Sequence, residues 1–246
     1  MRRSALLLLL ASSCALIQTP VPMGKLEAPA PAEPKCILVL FPGAGDHADD
    51  YQKQGFLKLV EDRKLPVAVA AADATMGYYL TNTMQPRVES DVIQPLRAKY
   101  PNAKLWVAGI SMGGFGSLFY AQLHSDQVEG VLAMAPFLGG PEIANEIRAA
   151  GGLHKWKAPE KATADTNNFT RQLWRWLQEV TAVGGKGPQI HLGYGVDDGI
   201  SAQGAVLAAA LPSGRVTIKP GGHVWSAWTP IFEEFLDGAA FRAACG

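Results

Sequence analysis

Apolar and polar positions along the chain follow two alternating patterns. Short, almost wholly apolar runs predict strands that are buried on both faces, at residues 36–41, 66–72, 104–110, 128–135, 189–194 and 215–219. Between them, apolar residues recur every three or four positions, which predicts helices at 49–64, 86–99, 111–123, 201–211 and 227–242. Strands that alternate with helices are typical of βαβ units. The pattern therefore predicts an α/β fold class, a mostly parallel open sheet with helices on both faces.

Residues 137–188 interrupt this alternation. The stretch is longer than an ordinary crossover and contains two helical patterns, around 142–150 and 168–181. We interpret it as a helical cap inserted over one end of the sheet. The second helix carries one stripe of apolar side chains, which predicts packing or the wall of a pocket. Trp174 lies off that stripe and is the better candidate for lining a substrate pocket.

Residues 1–14 have the pattern of a secretory signal peptide, with two arginines, a short leucine-rich run and small residues before Cys14. The run is too short to span a bilayer. Its end is also similar to a bacterial lipoprotein signal, in which Cys14 would be lipidated and would tether the protein to a membrane. The sequence thus predicts export, either as a periplasmic or membrane-anchored lipoprotein or by secretion, with an uncleaved anchor as a further alternative. Residues 15–34, rich in proline and alanine, predict an extended tether before a domain at 35–246.

Composition, charge and cysteine count narrow the classes of function. The chain has 246 residues, of which 48% are apolar, so it can bury a sizeable core and is not a disordered chain. Its 22 basic residues equal its 22 acidic ones and form no basic stripe, which argues against nucleic acid as a partner. Apart from Cys14, the cysteines are Cys36 and Cys245. In an oxidising compartment these two could pair and fasten the chain ends together, or they are two separate thiols.

Residues 109–113 read Gly-Ile-Ser-Met-Gly, a Gly-x-Ser-x-Gly motif. The motif lies between an apolar strand and a helix that begins at once. At such a turn the serine is held in a strained backbone with its hydroxyl projecting, which suits a nucleophile. Ser111 is therefore the candidate nucleophile. The alternative is a glycine-rich helix start in which Ser111 is only the N-cap.

A nucleophilic serine needs a base, and the base needs a carboxylate to orient it. Asp197 and Asp198 follow the predicted strand at 189–194, and His223 follows the one at 215–219. The carboxyl ends of parallel strands meet at one edge of a sheet, where open α/β sheets bind their ligands. The turn that carries Ser111 lies at the same edge, and the order serine, acid, histidine is the one found with this kind of turn.

The segments GISMGGFGSLFYA at 109–121 and PGGHVWSAW at 220–228 resemble the serine turn and the histidine turn of the α/β-hydrolase fold, and more narrowly of small bacterial esterases. The resemblance covers about residues 36–242. It implies hydrolysis of a small-molecule carboxylic ester by an acyl-enzyme route that uses no cofactor and no metal. The site residues it implies are a triad of Ser111, Asp198 and His223, with Asp197 as the alternative acid, and an oxyanion hole made by the backbone N–H groups of Ala44 and Met112. The sequence departs from the family pattern in having Pro42-Gly43 in place of a frequent His-Gly pair and Val224 in place of an aspartate.

Two other classes of function remain open. Residues 43–48 fit the pattern Gly-x-Gly-x-x-Ala, and Asp73 ends the next strand, as in a dinucleotide-binding enzyme. A hydrolase scaffold that has lost catalysis and serves as a binding protein is the third class. His47, Asp49 and Asp50 form a cluster of metal-ligating types, but acids at a helix N-terminus explain it better than a cation loop does.

Overall fold

The computed structural model describes residues 18–157 and 168–246. Seven strands in these residues form one sheet in the order β1-β3-β2-β4-β5-β6-β7. Their bounds are β1 Lys25–Glu27, β2 Cys36–Phe41, β3 Val67–Ala72, β4 Lys104–Ile110, β5 Val128–Met134, β6 Gln189–Gly195 and β7 Val216–Lys219. All neighbouring pairs are parallel except β1 with β3. The predicted α/β class with a mostly parallel sheet is confirmed.

The helices of the described residues are α1 Ala48–Lys53, α2 Phe56–Asp62, α3 Met76–Leu80, α4 Met84–Val88, α5 Gln94–Lys99, α6 Met112–Leu123, α7 Pro141–Ala149, α8 Asn168–Val180, α9 Ser201–Ala208, α10 Trp225–Asp237 and α11 Ala239–Cys245. A π-helical turn at Glu89–Ile93 joins α4 to α5, and 3₁₀ turns lie at Leu153–Lys155 and Ser213–Arg215. The single helix predicted at 49–64 is divided because Gly55 has a φ of 79°, which cannot continue a right-handed helix. No helix in the described part of the chain has the length and apolar character needed to cross a membrane.

The middle of the sheet is buried on both faces. Every residue of β2 is fully buried, which explains why its sequence is apolar without alternation. On one face, Trp106 of β4 contacts the rings of Phe235 and Phe241 edge-on, with ring centres 5.6 and 5.2 Å apart. These contacts pack α10 and α11 against the sheet.

The segment predicted as a tether is part of the domain over much of its described length. Lys25–Glu27 pairs with β3 as an edge strand, and Met23 is buried, with its N–H donating to Oδ2 of Asp91 at 2.8 Å. Further upstream, the hydroxyl of Tyr78 donates to the carbonyl of Pro20 at 2.6 Å. Over residues 20–27 the chain is therefore bound to the domain, which differs from the extended tether predicted at 15–34, because β1 pairs with a strand that lies far along the sequence. The predicted signal segment and Cys14 lie outside the described residues.

Cys36 and Cys245 form a disulfide bond. It joins the start of β2 to the end of α11, across a sequence separation of 209 residues, and both residues are fully buried. Of the two alternatives that the sequence leaves open, pairing is the one the structure adopts.

Candidate active site

Ser111 occupies a strained turn between β4 and α6. Its φ of 54° and ψ of −114° lie outside the regions that a residue with a side chain normally adopts. Two backbone hydrogen bonds hold the turn in place. The N–H of Ser111 donates to the carbonyl of Met134 at 2.9 Å, and its carbonyl accepts from the N–H of Phe137 at 2.9 Å. The turn is thus fastened to the end of β5 on both sides, as the strand-turn-helix prediction requires.

The two glycines of the motif are required by the close approach of backbone segments. A Cβ atom on Gly109 would lie 2.1 Å from the carbonyl oxygen of Gly113. A Cβ atom on Gly113 would lie 2.0 Å from the carbonyl oxygen of Phe41, at the end of β2. Both distances are far below van der Waals contact, so only glycine allows this geometry at either position. The two glycines of the motif are therefore a packing requirement of the turn, in which Ser111 is partly exposed.

The loops that follow β6 and β7 lie side by side. The N–H groups of Val196 and Asp197 donate to the carbonyls of Lys219 and Gly221 at 2.9 and 3.0 Å. A Cβ atom on Gly195 would lie 2.2 Å from the carbonyl oxygen of Gly221, so the two loops also touch at that point. This contact brings the acid-bearing loop against the histidine-bearing loop, at the same edge of the sheet as the serine turn.

Asp198 and His223 form a hydrogen-bonded pair. Nδ1 of His223 lies 2.8 Å from Oδ2 of Asp198, whose side chain is fully buried, whereas the histidine side chain is 36% exposed. The other carboxylate oxygen of Asp198 accepts from the N–H of Ile200 at 2.9 Å. The ring of His223 also packs edge-on against Trp228, with centres 4.9 Å apart. Asp197, the alternative acid, is exposed, so the structure brings Asp198 and not Asp197 to the histidine.

The hydroxyl of Ser111 and the ring of His223 are at the same edge but are not hydrogen-bonded to each other in the described structure. Catalytic hydrogen bonds of hydrolases are commonly long before a substrate is bound. What the structure provides is a strained serine, a partly exposed histidine and a buried carboxylate on three neighbouring loops.

The loop after β2 lies beside the serine turn. The N–H of Asp46 donates to the carbonyl of Gly43 at 3.1 Å, and Gly45 has a φ of 88°, which is the combination of a type II turn. Gly43 is buried, and a Cβ atom on it would lie 3.7 Å from Cβ of Ser111. Ala44 is exposed next to it, and Met112 is the first residue of α6, where backbone N–H groups have no partner inside the helix. The two predicted oxyanion donors are thus on segments that adjoin the serine.

Trp174, predicted as a pocket residue, is a packing residue instead. Its side chain is fully buried, and its indole N–H donates to the carbonyl of Leu138 at 2.9 Å. The apolar stripe of α8, which was predicted to pack or to form the wall of a pocket, begins at Phe169. That side chain is 40% exposed and contacts Phe115, with ring centres 5.4 Å apart.

A cavity of about 390 Å³ lies between the loop that follows β5 and the helices α7 and α8. It is lined by Phe137, Gly139, Gly140, Glu142, Ile143, Phe169, Thr170 and Arg171. Phe137 is the residue whose N–H is bonded to Ser111, so the cavity reaches the neighbourhood of the candidate nucleophile. Three of these residues lie on the irregular loop at 137–140, and the other five lie on α7 and α8. The sequence did not reveal the cavity, because helical periodicity does not tell which ends of two helices meet a loop.

The residues that suggested a dinucleotide-binding loop or a metal site form hydrogen bonds with one another. One oxygen of Asp73 lies 3.0 Å from Nδ1 of His47 and accepts from the N–H of Ala48 at 3.1 Å. Asp50 accepts from the N–H of His47 at 2.8 Å. These contacts fix the start of α1. Within residues 18–157 and 168–246, no group of three or more metal-ligating side chains is placed to hold an ion.

A mostly parallel sheet with a Gly-x-Ser-x-Gly turn at its carboxyl edge defines an α/β-hydrolase of the serine-hydrolase type. The sequence profile of the serine aminopeptidase S33 family, which has this fold, matches residues 89–214, more than half of the chain. The protein belongs to that family. The matched region contains Ser111 and Asp198, and His223 follows it. The prediction of an α/β-hydrolase is confirmed.

Solved structures of similar fold include several hydrolases. An S-formylglutathione hydrolase from Staphylococcus aureus is 15% identical, with a TM-score of 0.57 over 85% of this chain and 82% of the other. A ferulic acid esterase is 18% identical, with a TM-score of 0.59 over 83% and 84%. A monoacylglycerol lipase from Paleococcus ferrophilus is 17% identical, with a TM-score of 0.55 over 87% and 98%. A comparison with curated proteins finds no match.

Proposed function

We propose that the protein hydrolyses a small carboxylic ester, with Ser111 as nucleophile, His223 as general base and acid, and Asp198 as the group that orients the histidine. The observation that carries this proposal is the buried carboxylate of Asp198 bonded to Nδ1 of His223, on loops adjoining the strained Ser111 turn. A buried acceptor at Nδ1 keeps that nitrogen protonated, which leaves the lone pair of Nε2 free to take a proton.

The reaction then proceeds in two halves. The hydroxyl oxygen of Ser111 attacks the ester carbonyl while Nε2 of His223 takes the hydroxyl proton, and that proton passes to the leaving alcohol as the acyl-enzyme forms. In the second half a water molecule gives its proton to Nε2 of His223 and attacks the acyl-enzyme, which releases the carboxylic acid and restores Ser111. In both halves the negative charge on the former carbonyl oxygen is stabilised by the N–H groups of Ala44 and Met112.

Two observations support an ester as substrate. The cavity beside Phe137 offers room for an acyl group of modest size, and hydrolases whose names describe ester or thioester substrates share the fold. The family name favours a second candidate, removal of an N-terminal amino acid by cleavage of an amide bond. Ester hydrolysis and amide hydrolysis differ in the leaving group that His223 must protonate. Rates measured with matched ester and anilide substrates therefore distinguish the two candidate reactions.

The experiment that tests the proposal is labelling with a fluorophosphonate, followed by peptide mapping and kinetics with p-nitrophenyl acetate and butyrate and with aminoacyl p-nitroanilides. We expect the label on Ser111 and a loss of about 10⁴-fold or more in kcat for Ser111→Ala. Ser90→Ala, at an exposed serine on the π-helical turn, is the matched control and should keep full activity. Turnover of esters by Ser111→Ala within tenfold of the wild type would refute the proposal, and faster anilide cleavage would favour the second candidate.

We also propose that the chain is exported. The signal pattern of residues 1–14 and the Cys36–Cys245 disulfide support this, because disulfides persist in oxidising compartments. Lipidation of Cys14 would make the protein a membrane-anchored lipoprotein, and a cut without lipidation would release it. Fractionation of cells that express the wild type or Cys14→Ser distinguishes membrane anchoring from release. Recovery of both proteins in the cytoplasmic fraction would contradict export.

A further inference from the structure

Tyr51, on α1, is a fully buried side chain to which the mechanism described above gives no role. Its hydroxyl donates to the carbonyl of Phe41, the last residue of β2, at 2.7 Å. The next residue is Pro42, which has no N–H. The carbonyl is therefore the single hydrogen-bonding group of the peptide that joins Phe41 to Pro42. The hydroxyl of Tyr51 holds that peptide at the point where the loop after β2 begins.

The same carbonyl lies against both segments that carry the proposed oxyanion donors. A Cβ atom on Gly113 would lie 2.0 Å from the carbonyl oxygen of Phe41 and 2.5 Å from that of Pro42. Gly113 follows Met112 at the start of α6. Ala44 lies two residues after Pro42, on the loop after β2. A movement of this carbonyl would therefore change the spacing between the N–H groups of Ala44 and Met112.

The ring of Tyr51 is held separately from its hydroxyl. It packs edge-on against Trp225, the first residue of α10, with ring centres 5.4 Å apart, and against Phe56 at 5.2 Å. Burial, and then the negative charge of Asp46, raise the pKa of the hydroxyl well above its ordinary value, so the group stays protonated and remains a donor. Tyr51 thus connects the loop after β2 to the start of the helix that follows His223.

We propose that Tyr51 is a positioning residue whose hydroxyl keeps the N–H groups of Ala44 and Met112 at the spacing that the oxyanion requires. It does so by bonding the carbonyl of Phe41. The inference rests on the proposed function, in which these two N–H groups stabilise the negative charge on the former carbonyl oxygen. Such donors act only at hydrogen-bond distance from that oxygen. A small displacement therefore weakens stabilisation of the transition state more than it weakens substrate binding.

The test compares Tyr51→Phe with the wild type in hydrolysis of p-nitrophenyl acetate and in inhibition by an alkyl trifluoromethyl ketone. The hydroxyl oxygen of Ser111 adds to this ketone, and the adduct carries a negative oxygen like that of the transition state. Because the variant keeps the ring and loses the hydroxyl, kcat should fall roughly 10- to 30-fold with KM nearly unchanged. The inhibition constant should rise by the same factor. The acid limb of kcat/KM should not move, because His223 keeps its contacts with Asp198 and Trp228.

Tyr78→Phe is the matched control. Tyr78 is a second buried tyrosine whose hydroxyl donates to a backbone carbonyl, that of Pro20 at 2.6 Å, on a segment that carries no proposed donor. Its kcat and inhibition constant should match those of the wild type, although the variant loses a hydrogen bond of the same kind. A general loss of stability would therefore appear in both variants, and an effect on the oxyanion site only in Tyr51→Phe.

The amide resonances of Ala44 and Met112 provide a readout that needs no turnover. In NMR spectra they should shift in Tyr51→Phe and stay in place in Tyr78→Phe. A wild type that cleaves no ester but shows these shifts would refute the proposed function and leave the positioning contact established. A fall in kcat without a matching rise in the inhibition constant, or amide resonances that coincide with those of the wild type, would overturn the role of Tyr51.

Discussion

His191 should make the folded protein sensitive to mild acid. It lies on β6, is 8% exposed, and its Nε2 is buried with no hydrogen-bond partner among the described residues. The rings of Trp106 and Phe235 pack against it at 5.9 and 5.4 Å between centres. Burial, and to a smaller extent the positive charge of Arg215, lower the pKa of His191 from 6.5 to about 4.

The sign of the effect follows from this lowered pKa. The folded protein binds the proton more weakly than the unfolded chain, so the free energy of unfolding falls as pH falls from about 6.5 to about 4. At about 1.4 kcal/mol for each pH unit, the full loss is roughly 3 kcal/mol, of which about 2 kcal/mol appears between pH 7 and pH 5. Because the ring is buried, solvent screening reduces this figure little.

Urea unfolding at pH 7 and pH 5 measures the loss. The wild type should lose about 2 kcal/mol more than His191→Leu over this interval, since the variant keeps an apolar side chain of similar size and cannot titrate. His154→Gln, at an exposed histidine, is the control and should behave as the wild type does. Equal losses in the wild type and His191→Leu would show that the buried ring does not carry the effect.

Two further predictions concern the loops that carry the proposed triad. Asp198→Asn should lower kcat by about 10⁴-fold, because an amide no longer holds the imidazole in the required tautomer. Asp197→Asn should change kcat only a few-fold. Steady-state kinetics that rank the two variants the other way would show that Asp197 is the acid. Gly113→Ala should lower kcat by roughly 100-fold or more, because its Cβ would lie 2.0 Å from the carbonyl oxygen of Phe41 and must displace the serine turn. Gly214→Ala, where nothing lies within 4 Å, is its control, and similar kinetics for the two alanine variants would contradict the packing argument.

The sheet could be read from the sequence because its strands are buried on both faces. Strands such as β2 contain almost no polar residues, so they are easy to recognise in the sequence. The predicted bounds of these strands agree with the structure to within one or two residues. The edge strand β1 escaped prediction for the opposite reason. Its three residues are largely exposed and charged at both ends, and what fixes them is pairing with β3, a partner far along the chain.

The candidate site likewise contains some residues that the sequence predicts and others that it does not. Ser111, Asp198 and His223 follow strand ends, so a linear motif and the sheet topology suffice to place them at one edge. The prediction of Trp174 as a pocket residue was wrong because a helical stripe tells which side chains share a face but not which face is buried. The face of α8 that carries Trp174 is buried, and its indole N–H donates to the carbonyl of Leu138.

The direction of β1 determines how the domain would sit on a surface. Because β1 runs antiparallel to β3 and Lys25 pairs with Ala72, the chain enters the domain from the edge of the sheet that also carries the Ser111 turn. Between Cys14 and Gln18 the chain can reach at most about 14 Å. If, as proposed, Cys14 carries a lipid and the substrate is an ester, the edge of the sheet that carries the Ser111 turn would lie close to the bilayer, and esters in the lipid headgroup layer would be within its reach.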